Sequence, residues 1–168
     1  MNLSTYAFID ASNIIYGTRD DGWKVDFKKL IKYLEERYEC KKVFYFAGQD
    51  KQNSQQQKFY QLLEKWGFKL ILKPVKIYIQ PGGGKVRKAN CDVDLTFYAM
   101  RDKDLFQRGI FFTGDGDFEV LFRYFMDKKK EVKVIANGKR TAKEIRQLLG
   151  PNFTPMKSLQ KILQYKKG

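Results

Sequence analysis

A chain of 168 residues is about the size of one domain, and its 43% hydrophobic content, with fourteen Phe and ten Tyr, argues against disorder. Thirty-three basic residues against nineteen acidic ones give a net charge of +14, which favours an anionic polymer such as nucleic acid as the partner. Because the chain has no His and only two Cys, its composition excludes the usual zinc sites, a disulfide scaffold and a histidine-based ribonuclease.

The first half of the chain alternates apolar strand patterns with amphipathic helix patterns. A short apolar run at 6–9 predicts a strand, and the polar segment 10–13 after it predicts a loop. Asp26 is the expected N-cap of the first helix, and Gly67 has the position of a helix C-cap. The further elements predicted here are a helix over 26–38, a strand over 42–47, a helix over 55–66 and a strand over 68–72.

A glycine-rich basic segment follows an extended stretch at 75–79. Its Gly-Gly-Gly-Lys sequence differs from a phosphate-binding P-loop, because Val86 replaces the required Ser or Thr. It predicts a flexible basic loop in which Lys85, Arg87 and Lys88 contact nucleic-acid phosphates. A merely solvated charged face is the alternative, and it stays open for this run of basic residues.

The second half continues the alternation. A helix is predicted from about Asp92 to 103, with strands over 109–112 and 131–136 and a helix that follows Phe118. Thr141 and Glu144 form the pattern of a capping box for a helix over 141–149, and a last amphipathic helix is expected over 156–165. The alternation predicts a doubly wound, three-layer α/β/α domain with a central, mostly parallel sheet of about five strands.

No apolar run approaches the length of a membrane span, and no leader-like pattern follows Met1. The sequence therefore predicts a soluble, cytoplasmic protein without a membrane partner. Its oligomeric state stays open, a homodimer included.

Two carboxylates lie on a tight glycine turn in the segment Thr113-Gly114-Asp115-Gly116-Asp117, between a strand pattern and a helix pattern. Open α/β sheets bind ligands at the carboxyl ends of their strands, where this turn and Asp10 are both expected. A structural role is the alternative: Asp117 would cap the next helix and Asp115 would hold the turn.

If these strand ends are neighbours, Asp10, Asp115 and Asp117 meet the start of the helix that carries Asp92 and Asp94. Two carboxylates ~4 Å apart repel by about 1 to 4 kcal/mol, so such a cluster requires protons or a metal ion. Oxygen ligands suit Mg²⁺ or Mn²⁺. Residues two apart on a helix point in nearly opposite directions, so Asp92 and Asp94 share one site only if Asp92 precedes the first turn.

A carboxylate-bound cation within a basic protein indicates phosphodiester chemistry. The motifs of a nucleophile elbow, a dinucleotide-binding glycine loop and a protein kinase are missing from the chain.

Three segments together resemble the NYN domain proteins of the PIN-like nuclease superfamily, in their LabA-like branch. They are Phe8-Ile9-Asp10-Ala11-Ser12-Asn13, Asn90-Cys91-Asp92-Val93-Asp94-Leu95 and Thr113-Gly114-Asp115-Gly116-Asp117-Phe118. The resemblance implies the PIN-like fold over residues 1–150, extended by a C-terminal helix within 151–168, and cleavage of RNA.

The resemblance also implies roles for single residues. Asp10, Asp92, Asp115 and Asp117 are the implied metal ligands and Asp94 matches a further acidic position. Asn13 lies beside these ligands in the catalytic set, with Ser12 and Thr113 supporting them. Tyr98 departs from the pattern, because many relatives carry another Asp there, and Ala11 replaces a common Gly.

Three hypotheses follow from the sequence. The first is a Mg²⁺- or Mn²⁺-dependent endoribonuclease. The second is an RNA-binding protein whose acidic site is vestigial, and the third is a phosphatase or nucleotide hydrolase that acts on small substrates.

Overall fold

A computed structural model describes residues 3–167, with only the backbone described at 86–88. The strands are β1 (Thr5–Asp10), β2 (Cys40–Gln49), β3 (Lys69–Pro74), β4 (Lys76–Ile79), β5 (Lys85–Lys88), β6 (Arg108–Phe112), β7 (Glu131–Ala136) and β8 (Phe153–Pro155). The helices are α1 (Ala11–Asp20), α2 (Phe27–Tyr38), α3 (Ser54–Trp66), α4 (Asp92–Arg101), α5 (Glu119–Asp127), α6 (Lys143–Leu149) and α7 (Gln160–Leu163). None of the helices in the described range is long and apolar enough to cross a bilayer.

The central sheet has six strands in the order β3-β2-β1-β6-β7-β8, and every neighbouring pair is parallel. One apolar cluster lies on the face covered by α1, α2, α3 and α7, and a second lies on the face covered by α4, α5 and α6. These three layers confirm the predicted α/β/α architecture.

Strand β1 lies at the centre of both clusters. Alternate side chains point to opposite faces, so Ala7 and Ile9 join one cluster while Phe8 joins the other, each with 0% exposure. The Phe8 ring stacks on Phe44 of β2 at 5.4 Å between centroids and on Phe111 of β6 at 5.0 Å. Aromatic packing therefore fixes β1 between its two neighbours.

The structure adds elements that the sequence pattern does not predict. Segment 10–13 begins helix α1 directly, whereas a loop is predicted there. The strand at one edge of the six-stranded sheet, β8, has only three residues, which are too few for a recognisable alternation of apolar and polar residues. Strands β4 and β5 pair with each other as an antiparallel hairpin, outside the central sheet.

The predicted capping box at Thr141 is wrong. The Thr141 hydroxyl donates to the carbonyl of Asn137 at 2.6 Å, and α6 starts only at Lys143. The last helix is also shorter than predicted: Met156–Leu159 is a 3-10 turn, and only Gln160–Leu163 is α-helical. The Thr141 hydroxyl thus bonds to the backbone of its own loop, four residues earlier, in place of the helix cap.

We expect the Phe111→Ala substitution to lower the free energy of unfolding by about 3–5 kcal/mol, because it opens a cavity in the aromatic core. The Phe111 side chain is fully buried between Phe8 and Phe122, whose ring centroids lie 5.0 and 4.9 Å away. Urea unfolding measures the change. The matched control is Phe97→Ala, at a side chain with 58% exposure. A loss at Phe111 no larger than at Phe97 would contradict this assignment of the core.

Candidate metal centre

The parallel pairing of β1 with β6 brings two acidic segments to one edge of the sheet. Ile9 lies opposite Phe112 in the register, so Asp10 and the turn that starts at Thr113 both follow the last paired residues. The two strands are therefore neighbours, which is the condition under which the sequence analysis brings their acidic residues together. The sheet edge thus places the first and third acidic motifs side by side.

The turn after β6 is held by its own side chains and by the loop before α6. The amide of Asp115 donates to the Thr113 hydroxyl at 3.3 Å, and the amide of Asp117 donates to Asp115 Oδ1 at 2.9 Å. A Cβ at Gly114 would lie 2.8 Å from Thr141 Cα, closer than real Cβ contacts come. The turn therefore requires glycine at this position, and the backbone that carries the two carboxylates is held in place.

A three-carboxylate group forms where this turn meets the start of α4. Asp92, Asp115 and Asp117 each place a carboxylate oxygen within 4.8 Å of the other two. Asp92 is half-buried and Asp117 is exposed, and the Asn90 side chain accepts a hydrogen bond from the Asp92 amide at 2.8 Å. Two of the three sequence motifs contribute to this group.

Asp10, from the remaining motif, borders the group. Its Oδ1 accepts a hydrogen bond from the Ser12 hydroxyl at 2.9 Å. Burial raises the pKa of the Asp10 carboxyl and the charge of Asp115 raises it further, while the Ser12 hydrogen bond opposes both effects. Asp10 is thus close enough to share the electrostatic field of the cluster.

The negative charges of the cluster repel one another. The pKa of Asp92 is raised from 3.8 to about 6, first by burial and then by the charges of Asp115, Asp10 and Asp117. Cys91 lies next to Asp92, and burial followed by the charge of Asp10 raises the pKa of its thiol to about 11, so it stays protonated at neutral pH. The ionised donors are therefore carboxylate oxygens, a set that fits a hard divalent cation such as Mg²⁺ or Mn²⁺.

Asp94 lies away from the three-carboxylate group. Its Oδ2 accepts from the Nζ of Lys73 at 3.2 Å, in a partly exposed ion pair. Asp92 and Asp94 both belong to the first turn of α4, where side chains two residues apart diverge. Tyr98, further along α4, packs on Phe44 and Phe46 at 5.7 and 5.8 Å between ring centroids.

The base of the basic hairpin β4–β5 lines the same cleft as Asp10 and Asp92. Val75 and Ala89 lie at its base, against Gly48 of β2. A Cβ added at Gly48 would lie only 2.9 Å from a side-chain carbon of each of these two residues. Lys85 is exposed at the far end, about 13 Å from Ala89 along an extended strand. The side chains of Arg87 and Lys88 lie outside the described residues.

Two cavities meet at the carboxylates. A cleft of about 1000 Å³ runs from Asp10 and Asp92 past α3 to the base of the hairpin, and a second cavity of about 560 Å³ lies against the loop before α6. Both are lined by Asn13, Asp115 and Arg140. The two cavities therefore adjoin at Asp115, one of the three carboxylates.

Sequence reasoning missed several residues of these two cavities. Lys139 and Arg140 line the second cavity, and the amide side chains of Asn53, Gln55 and Asn90 line the cleft. The signal for the first two was the polar segment Asn137-Gly138-Lys139-Arg140 directly after β7. Because β7 is parallel to β6, its carboxyl end lies at the same edge of the sheet.

The family model for the NYN domain matches residues 4–156 of this chain. The chain belongs to the NYN domain family. This membership in the PIN-like nuclease superfamily supports a nuclease-type function.

Two individual proteins resemble this NYN domain along most of its length. The low amplitude and bright protein LabA of Synechococcus elongatus is 25% identical over 143 residues, which cover 83% of this chain and 76% of LabA. A crystal structure of a Vibrio parahaemolyticus protein of unknown function aligns with a TM-score of 0.79 and 23% identity. It covers 98% of this chain and 97% of the Vibrio chain, and it supports the fold.

We expect Asp92→Asn to stabilise the metal-free NYN domain at neutral pH. Because folding raises the pKa of Asp92 from 3.8 to about 6, folding favours the protonated carboxyl, and this benefit disappears as the pH rises through about 6. A shift of about two units corresponds to about 3 kcal/mol, which solvent screening of a half-buried group reduces to about 1 kcal/mol.

Urea unfolding in EDTA measures this effect, at about pH 7.5, where the gain is expected, and at about pH 3.5, where it should vanish. Asp94→Asn is the matched control, since it removes only the partly exposed ion pair with Lys73. Equal stability changes for the two variants at neutral pH would contradict electrostatic strain at Asp92.

Proposed function

We propose that this NYN domain is a metal-dependent endoribonuclease that hydrolyses RNA phosphodiester bonds at the Asp92, Asp115 and Asp117 cluster. The observation that carries the proposal is the convergence of these three carboxylates within 4.8 Å at the end of the sheet. Family membership supports a nuclease-type reaction, and the net charge of +14 supports a polyanionic substrate.

The proposed ligands are Asp92, Asp115 and Asp117, completed by Asp10. When bound, Mg²⁺ or Mn²⁺ supplies an activated water at neutral pH and stabilises negative charge on the phosphate. Ser12 orients Asp10 by its hydrogen bond, and Thr113 fixes the amide of Asp115. These two hydroxyls support the ligand groups in place, as residues behind metal ligands commonly do.

The two cavities at the carboxylates support an internal cleavage site on a polymer. The larger cleft and the second cavity are both lined by Asp115, and we propose that a strand runs through both of them past the cluster. Amide side chains such as Gln55 and Asn90 offer donors and acceptors to an RNA strand, whose 2′-hydroxyl distinguishes it from DNA. We propose RNA as the substrate on this basis, with Asn13 beside the scissile phosphate.

We expect Asp115→Asn to reduce RNA cleavage by about 100-fold or more, because it removes one charged ligand from the cluster. Cleavage of a labelled single-stranded RNA in Mg²⁺, Mn²⁺ or EDTA measures the loss. Asp104→Asn is the matched control, since its side chain is 87% exposed and contacts only Lys103 among the recorded ion pairs of the described residues.

The same assay separates the proposal from the two other hypotheses. Full activity of Asp115→Asn would contradict the proposed site. Tight, salt-dependent RNA binding without turnover in any divalent metal would identify a vestigial site. Hydrolysis of mononucleotides without cleavage of RNA would identify a hydrolase of small phosphates.

A further inference from the structure

The loop between β7 and α6 lines the smaller cavity beside the carboxylates and is held by several hydrogen bonds. Asn137 is 3% exposed, and its Oδ1 accepts from the amides of Lys139 and Arg140 at 2.8 and 3.1 Å. Its Nδ2 donates to the carbonyl of Gly17 at 2.8 Å, and the Thr141 hydroxyl closes the loop on the Asn137 carbonyl at 2.6 Å. One buried amide therefore ties the loop to α1 and sets its backbone.

The same loop is also bonded to the turn that carries Asp115. The Ala142 amide donates to the Gly114 carbonyl at 3.0 Å, and Thr141 packs directly against Gly114. The loop is thus bonded to α1, which follows Asp10, and to the turn that carries Asp115. Its position relative to both acidic segments is set by these contacts.

Arg140 projects from this loop onto α1. Its Nε pairs with Asp20, and its guanidinium carbon lies 5.9 Å from the ring centroid of Tyr16. Both side chains of the ion pair are about half exposed, at 47% for Arg140 and 48% for Asp20, so the pair contributes little to stability. Because the recorded contact uses Nε, the two terminal nitrogens of Arg140 can each donate to a phosphate oxygen.

The two basic residues line the cavities beside the acidic group. Lys139 is exposed and lines the smaller cavity with Asn13 and Asp115. Arg140 lines both cavities, and its partners on α1 lie six and ten residues beyond Asp10, which is about 9 and 15 Å along a helix. Both side chains are therefore placed for the phosphates of a strand that passes the cluster.

We infer that Lys139 and Arg140 form a phosphate-binding subsite that holds the substrate strand next to the carboxylate cluster, with Asp20 as the residue that positions Arg140. The inference rests on the proposed function, because it takes the occupant to be the phosphate backbone of a nucleic acid. A guanidinium held on a carboxylate and an aromatic ring is already ordered, so it loses less conformational freedom on binding.

The test measures binding separately from cleavage. The probe is a short, unstructured, fluorescein-labelled RNA, titrated in EDTA against proteins that all carry Asp115→Asn. We expect Arg140→Gln and Lys139→Gln each to weaken binding about tenfold, and each lost phosphate contact to reduce the slope of log K against log salt by about 0.7. Fluorescence anisotropy across a range of salt concentrations gives both quantities.

The matched control is Arg19→Gln. Arg19 also lies over the Tyr16 ring, at 5.1 Å, but it lines neither cavity, so its loss should leave affinity and salt slope unchanged. Asp20→Asn should weaken RNA binding about threefold, because it removes the carboxylate that orients Arg140. Asp20→Glu keeps a carboxylate there and should bind RNA as tightly as the protein with Asp20. Thermal unfolding of each variant confirms that the fold is retained.

The outcomes distinguish this inference from the proposed function. Equal affinity for Arg140→Gln, Lys139→Gln and Arg19→Gln, or no binding of the RNA by the parent protein, would overturn the subsite. The unsubstituted protein, without Asp115→Asn, is assayed for RNA cleavage as well. If it cleaves no RNA in any metal while Arg140→Gln and Lys139→Gln still weaken binding, the nuclease proposal is overturned and the phosphate subsite stands.

Discussion

The parallel pairing of β1 with β6 is the constraint on which the site depends. It carries Asp10 and the Asp115 turn to the same edge of the sheet, although the two segments are far apart in the chain. The stacking of Phe8 on Phe111, at 5.0 Å between ring centroids, fastens the two strands below that edge. Hydrophobic packing in the core therefore brings together carboxylates that repel one another at the surface.

This arrangement separates the stabilising core of the molecule from its acidic edge. The central strands are covered on both faces and supply the favourable free energy of burial. The acidic edge opposes folding, since burial and neighbouring charges raise the pKa of both Asp10 and Asp92. A divalent cation would relieve the same repulsion, which is why the cluster is interpreted as a binding site and the core as its support.

Much of the fold and part of the site follow from the sequence. Apolar runs such as 109–112 and the alternation of elements predict the three-layer sheet, and the strand-end rule places Asp10 and Asp115 at the same edge, close together if their strands are neighbours. The helical geometry at Asp92 and Asp94 also anticipates their divergence, and the structure pairs Asp94 with Lys73. These features depend on short-range patterns and on general rules of topology.

The remainder depends on contacts between distant segments, which a local pattern does not encode. The three-residue strand β8 is held by its parallel pairing with β7. Thr141 turns back to Asn137 instead of capping α6, because the loop packs on Gly114. Arg140 lines both cavities from a loop that Asn137 anchors on Gly17 of α1.

Anomalous diffraction at the manganese edge, from a crystal of this protein soaked in MnCl₂, tests the metal centre most directly. We expect an anomalous peak within bonding distance of the carboxylate oxygens of Asp92, Asp115 and Asp117, and loss of that peak in Asp115→Asn. Manganese bound elsewhere, with no peak at these three carboxylates, would contradict the assignment of the acidic edge as the metal centre.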